Sequence, residues 1–342
     1  MTNDRDLTED ALYRIMYGSI AFQMLYAASE LGVFAYLAAN PGASPRQVGD
    51  AAGLKDYPCD ILLTGLRGLR LITDDGSGLR NHPLVERSFV AGEDGRHLPF
   101  IHEVVNPGMS AFIDALRASD NVGLRHFPGP GTSLYDRLEQ HPDKLRLLHE
   151  HLYATMKATM ADLVGTGELS GARHILDVAG GTGSNALEIA FHHPEVEVTI
   201  VDLPKVVAEA EQKVAAHGFG KRIRVHACDV FNEALPSGAD VALLAHMLPI
   251  WSPEENQNLL RRVYEALPPG GKVLLYDPMQ NDDRDGPDYP VLFPAYYLTL
   301  ASGHGNFYPR FRYQEWMRAA GFTGIRTYDG LAVTHVLQVG TK

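Results

Sequence analysis

The stretch ILDVAGGTGSNALEIA, residues 175–190, is the most informative part of this chain for its fold class. A strand-like run at 175–178 leads into a turn, and a helical pattern follows at 186–190. The turn contains three glycines, Gly180, Gly181 and Gly183. A strand, a glycine turn and a helix in this order are typical of a nucleoside-binding α/β domain. The segment also fits G-x-G-x-x-A, and Asp202 lies where an acid for a ribose is expected, so NAD and a different nucleoside both remain open.

Strand-like and helical segments alternate over residues 171–342. The strand-like segments are HILDVA, EVTIVDL, IRVHACDV, DVALLAHML and KVLLYDPM. This alternation predicts a mostly parallel sheet with helices on both faces. The last segment, FTGIRTYDGLAVTHVLQVGT, has two strand-like runs about a turn at 329–330 and no helix between them, which predicts a terminal antiparallel strand.

The first hundred residues predict a small all-α domain with a hairpin. Apolar residues recur at helical spacing over 11–37, Ser44-Pro45 predicts a helix start, and Pro58 predicts the start of another helix. Residues 71–80 predict the hairpin. We therefore expect a winged-helix-like domain over 1–100 and a helical connector over 101–170.

Domains of this kind often bind DNA, but the charges of this chain do not favour that function. The helix that would contact DNA offers only two basic residues, Arg67 and Arg70, and the 342-residue chain carries a formal net charge of −12. A dimerisation domain is the preferred interpretation.

Composition limits the remaining classes of protein. The chain is 45% hydrophobic and has only two cysteines, Cys59 and Cys228, without metal-type spacing. The acidic N-terminus lacks the basic and apolar pattern of a signal peptide, and no apolar run reaches the length of a membrane span. We expect a cytoplasmic protein that binds neither nucleic acid nor a membrane.

Acids at three successive strand ends decide between the nucleosides. Asp177 and Asp202 follow the first two strands, and Asp229, with Phe231 after it, follows the third. An acid suits ribose hydroxyls, and an acid beside an aromatic ring suits an adenine amino group and face. The Y-x-x-x-K pair of many dehydrogenases occurs at 153–157, but it precedes the glycine turn. A single adenosine is therefore preferred to NAD.

With these motifs the sequence resembles the class I S-adenosylmethionine-dependent methyltransferases, in particular the dimeric small-molecule O-methyltransferases of the caffeate and hydroxyneurosporene type. The resemblance covers most of the chain: ILDVAGGTG, VDLP at 201–204, CDVF at 228–231, YEALPPGGKVLLYD at 264–277 and RYQEWMRAAGF at 312–322. It implies a Rossmann-like catalytic domain, a homodimer, and a cofactor site that includes Asp177, Gly180, Gly181, Gly183, Asp202, Leu203, Asp229, Val230 and Phe231. Ala179 replaces a glycine common in the family, a departure that should be tolerable if the residue keeps an ordinary extended backbone.

The histidine that usually acts as the base in a V-L-H-D-W block is absent. The chain has Met247-Leu248-Pro249-Ile250-Trp251 at this place, and Arg310 lies near the usual position of a family glutamate. The loss favours methylation of a ring carbon next to a phenolic hydroxyl over O-methylation. His246 is the first candidate for the base, with a structural histidine as the alternative, and His304 is the second candidate.

Four alternatives remain open. His246 and His304 could bind a metal that holds an α-keto acid as its enolate, although no metal is favoured. A relocated base could still methylate a phenolic oxygen, and the chain could be a non-catalytic cofactor-binding or DNA-binding protein.

An aromatic-rich segment downstream predicts a pocket for a flat acceptor such as an aromatic amino acid. Its candidate substrate-binding residues are Tyr296, Tyr297, Phe307 and Arg310, the last as a partner for a carboxylate. Tyr135, from the connector, is expected to add a hydroxyl to the site.

Overall fold

The computed structural model describes residues 7–342. They form two compact units, of which the first ends at Val104 and the second begins at Val105.

The first unit consists of helices and one small hairpin. Its principal helices are α1 (Glu9–Met16), α2 (Gly18–Glu30), α3 (Val33–Ala39), α4 (Pro45–Ala51) and α5 (Asp56–Gly68), and its antiparallel strands are β1 (Ile72–Asp74) and β2 (Leu79–Asn81). The periodic stretch at 11–37 is divided among three helices, with a left-handed Gly32 before α3. Helix α5 begins two residues before Pro58.

The predicted start of α4 is confirmed by its cap. The Ser44 hydroxyl accepts a hydrogen bond from the Gln47 amide, and the Gln47 side chain accepts one from the Ser44 amide, so the cap is reciprocal. Pro45 occupies the first helical position, where no amide donor is needed.

The second unit contains a seven-stranded sheet. Its strands are β3 (His174–Val178), β4 (Glu197–Asp202), β5 (Ile223–Ala227), β6 (Val241–Ala245), β7 (Lys272–Pro278), β8 (Thr323–Tyr328) and β9 (His335–Thr341), in the order β5-β4-β3-β6-β7-β9-β8. The first five strands in this order are parallel, and β9 pairs antiparallel with both β7 and β8. The predicted sheet and its terminal antiparallel strand are confirmed.

Helices cover both faces of this sheet. The main helices of the unit are α6 (Phe112–Ala118), α7 (Leu134–Leu138), α8 (Pro142–Gly165), α9 (Ser184–His192), α10 (Pro204–Ala216), α11 (Pro253–Ala266), α12 (Asp288–Leu292) and α13 (Arg310–Ala320). The core on one face includes buried residues of α11 and α13, and the core on the other includes buried residues of α8, α9 and α10. The carboxyl ends of the parallel strands meet at one edge, where ligands bind in sheets of this kind.

Among the described residues, no single helix has the length and apolar character of a membrane span. The adjacent helices α2 and α3, bent by 55° at their junction, meet the criterion only as a pair, by length and composition.

Candidate functional site

The glycine turn after β3 forms the first wall of the site. Gly181 and Gly183 have positive φ values of 57° and 79°, which glycine adopts without strain. Gly180 serves a different purpose, because an added Cβ would lie 2.6 Å from the carboxyl carbon of Asp177. The loop therefore requires glycine both for its turn and for the close approach of its backbone to a buried acid.

Ala179 does not have the extended backbone that would let alanine replace glycine without strain. Ala179 has a φ of 54°, in the left-handed region, so the first residue after the strand already turns the chain. An alanine in this conformation costs about 1–2 kcal/mol because its Cβ crowds the following carbonyl. The departure from the family pattern thus has a small energetic cost.

Two acids at the ends of β3 and β4 hold this turn. Asp202 accepts hydrogen bonds from the backbone amides of Gly181 and Leu203, each at 2.8 Å. Asp177 is 1% exposed, and its Oδ2 has no hydrogen-bond partner within residues 7–342. Burial, followed by the nearby charge of Asp202, raises the pKa of Asp177 to about 7. An unpaired buried carboxyl beside an open backbone loop suits a ligand that carries hydrogen-bond donors or positive charge.

The third acid closes a turn beside two aromatic rings. The Asp229 carboxylate accepts hydrogen bonds from the Asn232 side chain at 2.7 Å and from the Phe231 amide at 3.0 Å, and these bonds lower its pKa. Val230, between Asp229 and Phe231 in the sequence, is buried. The Phe231 ring lies edge-on to Trp251, with 4.6 Å between the centroids. Sequence reasoning did not assign Trp251 to this group. In the structure its indole N–H is buried and lacks a hydrogen-bond partner among the described residues.

His246 lies just beyond β6 and contacts a histidine that sequence reasoning missed. Its Nε2 is 2.7 Å from Nε2 of His335, the first residue of β9. The His335 Nδ1 lies 3.0 Å and 3.1 Å from the carbonyl oxygens of Ala332 and Val333. Burial lowers the pKa of His246 to about 4. Burial, together with the neighbouring His246 ring, lowers the pKa of His335 to about 3. Both rings are therefore neutral at pH 7.

His304 has a different environment. Its side chain is exposed, in a loop in which the Asn306 amide donates to the Pro249 carbonyl at 2.7 Å. The loop thus lies against the segment that lacks the family histidine. Over residues 7–342, no cluster of three or more histidine, cysteine, aspartate or glutamate side chains could hold a metal ion.

The predicted aromatic residues come together around a group of tyrosine hydroxyls. Rings of the cluster approach with centroids 4.9–6.1 Å apart: Tyr289, Phe293, Tyr296, Tyr297 and Phe307. The Tyr135 hydroxyl, from α7, is hydrogen-bonded to Tyr296. Burial raises the pKa values of Tyr135, Tyr289, Tyr296 and Tyr297, so all four remain protonated donors at neutral pH.

Arg310 is paired with two aspartate side chains. Its Nη1 is 2.9 Å from Asp329 and its Nε is 3.8 Å from Asp282. Any carboxylate ligand would have to compete with these two partners.

Asp277 is a further residue that sequence reasoning missed. It lies near the end of β7, is 0% exposed, and neither carboxylate oxygen has a hydrogen-bond partner in the described part of the chain. Burial raises its pKa well above the ordinary value. The signal that identified Asp177 and Asp202, an acid at the end of a parallel strand, was also present here.

Comparison with known proteins agrees with this geometry. The O-methyltransferase domain family matches residues 114–323. The chain is 34% identical to an L-tyrosine C(3)-methyltransferase of Streptomyces lavendulae, over 94% of this chain and 88% of that protein. It is 32% identical to a 3-hydroxy-5-methyl-1-naphthoate 3-O-methyltransferase of Streptomyces sahachiroi, over 89% and 87%.

Among solved structures, the S-adenosylmethionine-dependent methyltransferase SibL in its apo form superposes with a TM-score of 0.91 at 33% identity, covering 98% of this chain and 99% of that chain. The family resemblance and the use of S-adenosylmethionine are thereby confirmed, and the NAD alternative has no support. The chain belongs to the O-methyltransferase domain family and is an S-adenosylmethionine-dependent methyltransferase.

Proposed function

We propose that this enzyme methylates a ring carbon next to the hydroxyl of a small phenolic acceptor, preferably an amino acid of the tyrosine type. The observation that carries the proposal is the cluster of aromatic rings and protonated tyrosine hydroxyls, in a chain that has Pro249 in place of the usual histidine. The Streptomyces lavendulae relative, by its name, methylates C3 of tyrosine.

The cofactor is proposed to bind across the ends of β3, β4 and β5. The glycine turn and Asp177 would surround the methionine portion, whose positive groups suit the unpaired carboxyl. Asp202 with Leu203 would hold the ribose, and Asp229, Val230 and Phe231 would border the adenine. We add Trp251, because its ring lies against Phe231.

Ring methylation requires a phenol that has lost its proton. The electrons of the phenolate oxygen enrich the adjacent ring carbon, which then acts as the nucleophile. When bound, S-adenosylmethionine supplies a methyl group on positively charged sulfur, so alignment of the two carbons contributes much of the acceleration. His246 is neutral at pH 7 and is proposed to accept the phenolic proton. Tyr296, Tyr297 and Phe307 would hold the ring, with Tyr135 donating to the acceptor. Arg310 would bind a carboxylate only by exchanging Asp329 or Asp282.

The decisive experiment is transfer of a labelled methyl group from the cofactor to phenols, aromatic amino acids and α-keto acids, followed by NMR of the product. A new methyl on a ring carbon supports the proposal. A methoxy product would favour O-methylation with a relocated base. The Streptomyces sahachiroi relative, by its name, methylates an oxygen of a naphthoate. Methylation of an α-keto acid only when a divalent metal is present would favour the enolate mechanism with His246 and His304.

We further propose that residues 1–100 form a dimerisation domain. Helix α1 has no buried residue, and its large apolar side chains are exposed, Tyr13 at 54%, Ile15 at 71% and Met16 at 60%. Burial of such a surface in a homodimer would stabilise it. Light scattering should give twice the chain mass of 37.5 kDa. A cytoplasmic location is also proposed, since both cysteines are free and buried.

A further inference from the structure

A chain of hydrogen bonds passes through two histidines at the carboxyl edge of the sheet. It begins at the backbone carbonyls of Ala332 and Val333, passes through the His335 ring, and ends at the His246 ring. The distance between Nε2 of His246 and Nε2 of His335 is 2.7 Å.

The carbonyls determine where each proton lies. A carbonyl oxygen only accepts, so Nδ1 of His335 must carry a proton and donate it. A neutral His335 then has a bare Nε2, which accepts, and His246 must donate its Nε2 proton to it. The Nδ1 of a neutral His246 consequently carries a lone pair. Within residues 7–342, no hydrogen bond engages this nitrogen, and the side chain of His246 remains partly exposed.

The backbone around the pair is strained in a way that supports a functional role. His246, Val333 and Thr334 have positive φ values of 56°, 51° and 57°. Val333 and Thr334 are β-branched, and for such residues these values are outliers that cost of order 1–3 kcal/mol each. Strain of this kind clusters at functional sites. The strained turn directs the Ala332 and Val333 carbonyls at the His335 ring.

The turn at 332–334 contacts two helices of the unit, one of which carries a tyrosine of the aromatic cluster. The Ala332 amide donates to Asp162 of α8 at 2.5 Å, and α12, which carries Tyr289, packs against residues 332–334. The titratable groups nearest the pair are Tyr276, whose ring lies 4.9 Å from His335 and 6.1 Å from His246, Asp277 near the His246 amide, and Asp162. Tyr276 donates its hydroxyl proton to the Thr159 carbonyl, so it does not compete for the histidine nitrogens.

We propose that His335 is a positioning residue that fixes the tautomer of His246, so that Nδ1 of His246 is the atom that accepts the phenolic proton of the acceptor. This inference rests on the proposed function for the identity of the acceptor, but the assignment of the tautomer does not.

The proton and electron balance of the reaction is complete with this arrangement. The phenolic proton moves to Nδ1, while the Nε2 proton remains shared with His335. The ring carbon bonds to the methyl group, and sulfur keeps the electron pair of the broken carbon–sulfur bond as a neutral thioether. The methylated ring loses its own proton to water and regains aromaticity, and the oxygen recovers a proton from Nδ1. One proton is released in total.

The direct test is ¹⁵N NMR of histidine-labelled enzyme with the demethylated cofactor product bound. We expect His246 to be protonated at Nε2 and unprotonated at Nδ1. A spectrum with the proton on Nδ1 would overturn the proposal without reference to any acceptor.

The kinetic test compares three substitutions. His335→Leu removes the acceptor for the His246 proton, and we expect kcat to fall by about 10²-fold with little change in KM. His335→Gln keeps an oxygen that can accept, and we expect it to restore most of kcat. His174→Leu is the matched control. His174 makes a comparable 2.8 Å hydrogen bond to Thr199, but it lies at the amino end of β3, away from the carboxyl ends of the parallel strands, so kcat of this variant should change little.

Calorimetric affinity for the demethylated cofactor product verifies that each variant is folded. Unchanged kcat in a folded His335→Leu, or an equal loss in His335→Gln, would refute the positioning role. If the acceptor screen gives only methoxy products, the proposed ring methylation fails, whereas the NMR result still decides the tautomer.

Discussion

The buried carboxyl of Asp177 should make the stability of the cofactor-free protein depend on pH. Asp177 is 1% exposed, and burial together with Asp202 raises its pKa from 3.8 to about 7. Between these pH values the folded protein retains a proton that the unfolded chain has released. The contribution of Asp177 to stability is therefore most favourable at acidic pH and declines as the pH rises toward 7, by about 4 kcal/mol over the whole interval.

Asp177→Asn removes this titration and keeps the shape of the side chain. Between about pH 5.5 and 8, we expect the free energy of unfolding to fall by about 2 kcal/mol more in the native enzyme than in the variant, because only the native enzyme has the Asp177 carboxyl. At about pH 8 the variant should be the more stable protein without cofactor, although it should bind the cofactor more weakly.

The measurement is urea unfolding followed by tryptophan fluorescence. The chain has two tryptophans, Trp251 and Trp316, and both lie in the second unit, so the signal reports on the unit that contains Asp177. Asp240→Asn is the control. Burial opposes the ionisation of Asp240, but the Arg173 and His174 amides hold its pKa below the ordinary value, so its loss should not change the slope in this interval.

An equal pH dependence of stability in the native protein and in Asp177→Asn would contradict a raised pKa for Asp177. It would mean that Asp177 is ionised in the folded protein at acidic pH, and that the turn solvates its charge without a ligand.

Three other substitutions test the remaining assignments. Asp202→Ala should weaken binding of S-adenosylmethionine by about 1–3 kcal/mol through loss of charge-assisted hydrogen bonds, and unchanged affinity in calorimetry would contradict the ribose assignment. Glu168→Gln should lower stability at neutral pH by about 3 kcal/mol, because bonds from Tyr328, Arg326 and Lys272 overcome the effect of burial and hold the pKa of Glu168 at about 2. That contribution is present above the unfolded pKa near 4.5 and disappears as the pH falls toward 2, so equal acid denaturation of both proteins would argue against it. His246→Ala should greatly reduce turnover while cofactor affinity is kept, and retained turnover in a labelled-methyl assay would return His246 to a structural role.

Most of the fold could be predicted from the sequence because its signals are local. The strand at 174–178, the three glycines after it and the helix that follows are consecutive, and each constrains the next. The same holds for the acids, since a residue at the end of a parallel strand lies at the ligand-binding edge whatever the details of packing. Ala179 shows the limit of this reasoning, because its φ depends on how tightly the turn must close over Asp177.

The residues that sequence reasoning missed are brought to the site by distant parts of the chain. Asp277 is the exception, because its place near the end of a parallel strand was visible in the sequence. Trp251 contacts the Phe231 ring although β6 lies between them in the chain, and His335 reaches His246 only because β9 pairs with β7. No local periodicity distinguishes such residues from ordinary core residues.

The class of fold, the nucleoside-binding turn and the absence of a histidine at position 249 follow from the amino-acid sequence alone, because each is a property of neighbouring residues. Which nitrogen of His246 is available depends on the folded chain. His335 lies 89 positions further along the chain and reaches His246 because the last strand runs antiparallel beside β7, so that its first residue meets the edge where the parallel strands end. The proton on that ring is set by carbonyls of a strained turn, and hydrogen bonds of this kind are formed only after the sheet is complete.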